Sequence, residues 1–228
     1  MKKITKYIPT IILTLLCSCS DYLDIVPDNV TTLDIVFNNR NTAERYLANC
    51  YHFVPDHGSV KRIPGMGAGH ECWFYTTNDS HFDNEVSFYI ARGLQNIDAP
   101  YANYWDGEGG SNLPMFRAIR ECNIFLDYVR DQHKVNDLTD SERKRWIAEV
   151  NVLKAYYHFF LFEHYGPIPI VDKALPVSTD PEGVKVTRMP VDQIVDYMVK
   201  LIDDSYKDLP PVITMEATEM GRLTQPAA

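Results

Sequence analysis

The stretch TDSERKRWIAEVNVLKAYYHFFLFEHYGP, residues 139–167, decides the fold of this chain. Its first four residues, Thr139 to Glu142, form a capping box, in which two side chains satisfy backbone N–H groups at the start of a helix. Gly166 and Pro167 follow within six residues of the last periodic residue, Leu161, and are typical of a helix end. Between these signals, apolar residues recur at helical spacing: Trp146, Ile147, Val150, Leu153, Tyr157, Phe160 and Leu161. The pattern predicts one helix, about 40 Å long, with a buried face.

The same helical period predicts a helix on either side of a long irregular region. The earlier helix begins at Asn41, with Glu44 at capping-box spacing, and ends before Pro55. Its apolar face consists of Ala43, Tyr46, Leu47, Cys50, Tyr51 and Val54. The later helix carries Leu113, Phe116, Ile119, Cys122, Leu126 and Val129. Both patterns are typical of amphipathic helices that pack on a shared core.

A fourth helix is predicted after the long one, with Pro190 at its first position. Its core-facing residues are Ile194, Met198, Leu201, Ile202 and Ser205, and Leu209-Pro210 ends it. Successive helices with short connections suggest helical hairpins, although no self-similar period of 34 residues is present. The sequence therefore predicts an all-α, mainly helical fold.

Residues 55–111 differ in kind, since neither a helical nor a strand period runs through them for long. They are rich in glycine and in aromatic side chains. A loop of this length inside a compact domain is usually functional or disordered. The aromatic content argues against disorder, so we expect an ordered, aromatic-rich excursion from the helices.

The N-terminus has the organisation of an export signal. Lys2, Lys3 and Lys6 precede a short apolar run, Ile8 to Leu16, which is too short to span a membrane. The small residue Ser18 then precedes Cys19, an order that resembles the lipobox of bacterial lipoproteins. This resemblance implies a signal peptide at residues 1–18 and a mature chain, residues 19–228, lipidated at Cys19. The alternative is an ordinary secretory signal with two incidental cysteines, Cys17 and Cys19.

Charge and cysteine content exclude several classes of protein. The net charge is −9, and without residues 1–18 it becomes −12, from 19 basic and 31 acidic residues. Such a chain repels phosphate backbones, so nucleic acid is not expected as a partner, and membrane attachment has to come from the lipid. Cys50, Cys72 and Cys122 allow at most one disulfide. Cys50 and Cys122 lie on apolar helical faces, which favours buried thiols.

The sequence contains no catalytic, cofactor or metal motif. The seven histidines are scattered, and His158 and His164 do not have the i, i+4 spacing of helical zinc ligands. Nucleophile elbows and phosphate-binding loops are absent from the sequence. We therefore expect a protein that is not an enzyme and has neither cofactor nor metal.

The excursion contains the best candidates for ligand contact, because its aromatic residues alternate with amides and carboxylates. Aromatic planes pack on the apolar faces of sugar rings, while polar side chains bind the ring hydroxyls. The alternative is that these aromatic residues only hold the loop on the helices. The candidates are Trp73, Tyr75, Asn78, Asp79, His81, Tyr101, Tyr104 and Trp105.

Several segments, in order and at similar spacing, resemble the SusD/RagB family of outer-membrane nutrient-binding lipoproteins. They are residues 19–27 (CSDYLDIVP), 41–47 (NTAERYL), 119–126 (IRECNIFL), 149–157, 164–169 (HYGPIP), 188–191 (RMPV) and 221–224 (GRLT). Members often have a Ser-Asp-Glu turn where this chain has Asn78-Asp79-Ser80-His81, and only Asp79 matches. Family binding roles are therefore not transferred to the neighbouring positions, and Trp73 and Trp105 are candidates from composition alone.

The resemblance implies a mainly α-helical fold with tetratricopeptide-like hairpins, and a protein that is not an enzyme. It also implies a lipid-anchored position at the cell surface, on the outer membrane of Bacteroidetes-type cells. There the protein would capture oligosaccharides and deliver them to a TonB-dependent, SusC-like transporter. The alternatives are a peptide-binding import component and a helical repeat scaffold without a small ligand. Family members are typically more than twice this length, so the chain resembles an N-terminal fragment, and Met215 to Ala228 is expected to lack a packing partner.

Overall fold

The computed structural model describes residues 32–58, 65, 67–69, 86–98, 100–107, 113–175 and 185–228. The chain forms two units, residues 1–36 and 37–228. In the first unit the structure describes one short helix, α1 (Leu33–Val36). The second unit contains α2 (Arg40–His52), α3 (Val86–Ala91), α4 (Met115–Arg130), α5 (Asp140–Tyr165), α6 (Val191–Asp203) and α7 (Glu216–Glu219). The described residues of this unit also contain two 3₁₀ turns, Tyr206–Asp208 and Gln225–Ala227.

The prediction of an all-α fold is confirmed, since the described ranges contain helices and turns and no strand. The tetratricopeptide-like arrangement stays a prediction. Within the same ranges, no helix combines the length and the apolar character needed to cross a membrane. Residues 1–31, which include the predicted signal peptide and Cys19, lie outside the described residues.

Helix α5 lies at the centre of the second unit and packs against α2, α4 and α6. Its ends are those predicted from the sequence. Thr139 Oγ1 accepts a hydrogen bond from the Glu142 N–H at 3.3 Å, and Glu142 Oε2 accepts one from the Thr139 N–H at 3.3 Å. Gly166 ends the helix with φ +68°, a conformation that favours glycine.

Helix α5 is buried on more of its circumference than the single apolar face predicted from the sequence. Trp146, Tyr157, Phe160 and Leu161 are buried as expected, but so are polar residues outside that face. These are Arg143, Glu149, Asn151, Lys154 and His158. Because neighbours cover α5 on several sides, its charged side chains need partners inside the protein.

Two predicted helix starts are shifted: the N-cap of α2 lies two residues earlier than predicted, and α6 begins one residue later. Helix α2 begins at Arg40, and Asn39 is its N-cap, with Oδ1 accepting from the Thr42 N–H at 3.1 Å. The capping box predicted for Asn41 and Glu44 is wrong, because Glu44 instead accepts a hydrogen bond from Arg40 at 3.0 Å. At the other shifted start, Pro190 is the N-cap of α6 rather than its first helical residue.

The two cysteines on the helical faces are buried and free, as predicted. Cys50 lies on α2 and Cys122 on α4, and both have no exposed surface. A hydrogen bond with Cys122 and burial raise the pKa of the Cys50 thiol, so this thiol stays protonated at neutral pH. Cys72 lies outside the described residues.

The expectation that Met215 to Ala228 lacks a packing partner is wrong. Arg222 forms an ion pair with the buried Glu149 of α5 at 2.8 Å. Leu223 packs on a buried cluster that contains Ala148 and Val152, and its N–H donates to Tyr51 Oη at 3.1 Å. Charge and apolar contacts together hold this segment on α5.

Candidate functional site

A pocket of about 230 Å³ lies where the excursion meets α4 and the segment after α5. We name it the Trp105 pocket. It is lined by Trp105, Phe116, Arg120, Pro169, Val171, Lys173, Leu175 and Val186. Pockets for drug-sized ligands are usually about 300–1,000 Å³, so this one is large enough for only part of an oligomeric ligand.

The wall after α5 is held in place by side chains of α4. Asn123 Nδ2 donates to the Val171 carbonyl at 3.0 Å, and Arg120 Nη1 donates to the Leu175 carbonyl. The start of this wall is fixed by the Met189 N–H, which donates to the Ile168 carbonyl at 2.9 Å. The backbone of residues 168–175 is therefore positioned by long-range hydrogen bonds, without belonging to a helix or strand.

The loop that carries Trp105 is also tightly held. Asn103 Oδ1 accepts from the Trp105 N–H at 3.1 Å, and the Tyr104 N–H donates to Tyr165 Oη at 2.8 Å. Gly107 has φ +84°, and a Cβ at this position would lie 2.9 Å from Pro114 Cδ. Glycine is thus required where the loop turns next to α4.

The indole of Trp105 is half-buried and surrounded by aromatic and cationic groups. Its ring makes edge contacts with Phe116 and Tyr165, at centroid distances of 4.6 and 5.5 Å. The guanidinium carbon of Arg188 lies 5.2 Å from the ring centroid. This pocket therefore combines an apolar aromatic wall with hydrogen-bond donors, the combination that recognises a sugar ring.

The structure separates the predicted ligand-contact residues. Trp105 lines the pocket, whereas Tyr101 does not line it and is half-buried, stacked on Tyr89 at a centroid distance of 4.5 Å. Tyr104 is fully buried, with its ring against Phe160 and His164, so it is a core residue. The remaining candidates, Trp73, Tyr75, Asn78, Asp79 and His81, lie outside the described residues.

Three cationic residues at this site were not among the sequence candidates. Arg120 and Lys173 line the pocket, and Arg188 lies over Trp105. Arg120 and Arg188 belong to the segments 119–126 and 188–191 that carried the family resemblance, and this was the one signal that could have found them. Lys173 stands in no recognised motif.

A second polar cluster lies behind the wall of the pocket, around Lys154 of α5. The ammonium group is 1% exposed and donates to the Asp172 carboxylate at 2.8 Å, which also accepts from Tyr197 Oη at 2.9 Å. Burial lowers the pKa of Lys154, and this effect is opposed by its hydrogen bond with Asp172. Burial tends to raise the pKa of Asp172, but the bonds from Lys154 and Tyr197 outweigh it and lower that pKa. These contacts join α5, the pocket wall and α6.

The buried histidine of this cluster is structural. His158 Nδ1 lies 2.7 Å from the Lys154 carbonyl oxygen, and its Nε2 accepts from the Val171 N–H at 3.4 Å. Burial lowers the pKa of His158 to about 4. The part of the chain that the structure describes contains no group of His, Cys, Asp and Glu side chains able to hold a metal ion.

The chain belongs to the SusD-like_3 family, described as starch-binding and associating with the outer membrane, which matches residues 21–228. Proteins of this family bind carbohydrate and are not catalytic, in agreement with the prediction that the chain is not an enzyme. The resemblance to the SusD/RagB family inferred from short motifs is confirmed.

Solved structures of SusD-like proteins share this fold at low sequence identity. A SusD-like protein from Bacteroides fragilis is 16% identical with a TM-score of 0.62, over 86% of this chain and 34% of that one. A laminarin-binding SusD-like protein is 17% identical with a TM-score of 0.62, over 83% and 38%. Surface glycan-binding protein A from Bacteroides uniformis is 18% identical with a TM-score of 0.57, over 82% and 39%.

The chain spans between about a third and two fifths of the length of these structures. The comparison with curated proteins found no match.

Proposed function

We propose that this protein is a glycan-binding lipoprotein of the cell surface that captures oligosaccharides for import. Membership of a carbohydrate-binding family associated with the outer membrane supports the broad function. The observation that carries the proposal is the Trp105 pocket, where an indole wall stands beside several hydrogen-bond donors. Aromatic packing on the C–H face of a sugar, with donors at its rim, is the expected mode of recognition.

The proposal includes delivery of the captured glycan to a TonB-dependent, SusC-like transporter in the outer membrane. A pocket of about 230 Å³ encloses one sugar ring rather than a long chain, so the rest of the ligand remains accessible to a partner. Such partial burial suits a protein that hands its ligand on. Pull-down of the lipidated protein from solubilised outer membranes tests this step. Recovery of the protein without any transporter would contradict it.

Lipid attachment at Cys19 is proposed as the anchor, because Ser18 provides the small residue before that cysteine. We expect Cys19→Ala to abolish labelling with a fatty acid and to release the protein from the membrane fraction. Cys17→Ala is the matched control and should remain labelled and membrane-bound. Continued acylation of the Cys19 variant would place the anchor elsewhere.

The test of glycan binding is calorimetric titration of the full chain with laminarin and starch oligosaccharides and with short peptides. We expect Trp105→Ala to weaken oligosaccharide binding by about 1–2 kcal/mol, the order of one aromatic contact. Phe159→Ala is the matched control, because Phe159 is an exposed aromatic residue of α5 that does not line this pocket. A urea melt of each variant separates loss of binding from loss of folding.

The outcomes distinguish the competing functions. Binding of peptides alone would support a peptide-import component. Absence of binding to either class would support a helical scaffold. Equal affinities of the Trp105 and Phe159 variants for oligosaccharides would remove the Trp105 pocket from the binding site.

A further inference from the structure

The Trp105 pocket is positively charged on a chain that is negatively charged as a whole. The chain has 31 acidic and 22 basic residues. Yet the described residues that line the pocket include two cations, Arg120 and Lys173, and no carboxylate. A third cation, Arg188, lies over the Trp105 ring. The charge of the lining is therefore positive, whereas the net charge of the chain is negative. A local positive potential attracts anionic ligands.

Both arginines are held in place and keep donors for a ligand. Arg120 uses Nη1 to bind the Leu175 carbonyl, and Arg188 uses Nη1 to bind the carbonyls of Tyr165 and Pro167, at 3.3 and 2.8 Å. Among contacts between described residues, their Nε and Nη2 groups have no hydrogen-bond acceptor. A guanidinium fixed at one nitrogen loses little freedom when it binds an anion through the others.

Lys173 completes the cationic rim. Its side chain is exposed and makes no ion pair or hydrogen bond with the described part of the protein. The acidic residue beside it, Asp172, accepts hydrogen bonds from Lys154 and Tyr197 on the side of α5 and α6. Glu121, the neighbour of Arg120, accepts a hydrogen bond from Tyr46 at 2.5 Å. The carboxylates next to Lys173 and Arg120 in sequence are thus engaged by other groups, and Asp106, next to Trp105, accepts a hydrogen bond from Asn103 Nδ2.

The contact between Arg188 and Trp105 distinguishes neutral from acidic sugars. Because the guanidinium covers one face of the indole, a neutral sugar that stacks there has to displace a cation–π contact. A carboxylate or sulfate on the sugar can instead bind the guanidinium and leave that contact intact. The geometry therefore favours a ligand that carries an anionic group.

We propose that the Trp105 pocket recognises an anionic group, a carboxylate or a sulfate ester, on one ring of an oligosaccharide. The inference rests on the proposed glycan-binding function and specifies its substrate class. Arg120, Lys173 and Arg188 bind the anion, while Trp105 and Phe116 contact the sugar ring. Charge-assisted hydrogen bonds to a partly desolvated anion provide the selectivity over a neutral ring.

The test compares three probes by titration with the full chain: trigalacturonate, the neutral trisaccharide galactotriose, and galactotriose that carries a sulfate ester and no carboxylate. At low salt we expect at least one of the anionic probes to bind about tenfold or more tightly than galactotriose, a ratio that should shrink as salt is raised. Lys173→Gln and Arg188→Gln should each remove most of that ratio with little change in galactotriose affinity. Lys144→Gln, an exposed lysine near the opposite end of α5, is the matched control and should preserve it.

Each result decides for or against the inference. The two anionic arms identify whether carboxylate or sulfate is preferred, and selectivity for either one supports the proposal. Binding of galactotriose as tight as that of both anionic probes would overturn it while leaving glycan binding intact. The inference would also be overturned if the Lys173 and Arg188 variants preferred the anionic probes as strongly as the Lys144 variant does. Failure of all three sugars to bind, together with failure of the laminarin and starch oligosaccharides, would overturn the proposed function itself.

Discussion

Replacement of Glu149 by alanine is expected to destabilise the fold more than any surface substitution. The carboxylate has no exposed surface and accepts four hydrogen bonds. Two come from Arg222, at 2.8 and 3.1 Å, one from Arg145 at 2.9 Å, and one from Tyr51 Oη at 2.8 Å. Removing it leaves the largely buried Arg145 and Arg222 with Glu219 as their shared carboxylate partner, at 2.8 and 3.4 Å, and without the fully buried one.

The magnitude follows from the cost of breaking a buried ion pair from one side, about 3–5 kcal/mol. Arg145 and Arg222 have side chains that are 20% and 15% exposed, so solvent relieves little of that cost. For a domain of this size, each kcal/mol corresponds to about 2–4 °C, so the melting temperature should fall by about 6–20 °C. Glu149→Gln keeps the shape and one acceptor and should give a smaller loss.

Thermal melts followed by circular dichroism measure this effect. Asp204→Asn is the matched control, since Asp204 forms an i, i+4 ion pair with Lys200 at the surface and its loss should leave the melting temperature nearly unchanged. A Glu149→Ala melting temperature within about 2 °C of the unmodified chain would refute the reasoning. The substitution would then lower the free energy of unfolding by less than about 1 kcal/mol, no more than is expected for an exposed ion pair.

Three further predictions concern packing, protonation and backbone strain. Leu153→Ala should cost about 2–5 kcal/mol in urea melts because this side chain is buried in α5, whereas Glu142→Ala in the capping box should cost about 1 kcal/mol; the reverse order would show that the helical face is misassigned. Folding lowers the pKa of His158 from 6.5 to about 4. Between pH 4 and 6.5, His158 is therefore mostly protonated in the unfolded chain and mostly neutral in the folded chain. The free energy of unfolding should therefore drop by about 3 kcal/mol as the pH falls from 6.5 to 4, and an equal drop in His158→Gln would assign it to other groups. Gly107→Ala should cost about 1–3 kcal/mol, because φ is positive and the new Cβ would meet Pro114; an unchanged melting temperature would contradict the strain.

The four main helices could be predicted because their signals are local. Capping residues, glycine and an apolar period of 3.6 lie within a few residues of each helix, so no knowledge of the rest of the chain is needed. The position of the N-cap of α2, at Asn39 rather than Asn41, depends on contacts that are distant in sequence. Arg40 donates its N–H to Asp137 at 2.7 Å and its Nε to Glu142 at 2.9 Å, and both partners lie far away in sequence.

Buried charge was missed for the same reason. A pattern of apolar residues assigns Glu149 and Lys154 to the surface, and it cannot show that Arg222 and Asp172 meet them in the interior. The candidate site was predicted in part. Trp105 was found by its residue type, but its pocket depends on Arg120, on residues 169–175 and on Arg188, which the fold brings together from separate segments.

The ion pair between Glu149 and Arg222 constrains the order in which the chain can assemble. Helices α4 and α5 are adjacent in sequence, so they can associate early, but Arg222 follows Glu149 by 73 residues. Until that arginine arrives, full burial of the carboxylate is opposed by its hydration. Docking of the segment around Arg222 and Leu223 therefore adds a second cation beside Arg145 at the Glu149 carboxylate and covers Ala148 and Val152 at the same time. In a nascent chain that ends before this segment, the face of α5 around Glu149 is exposed to water.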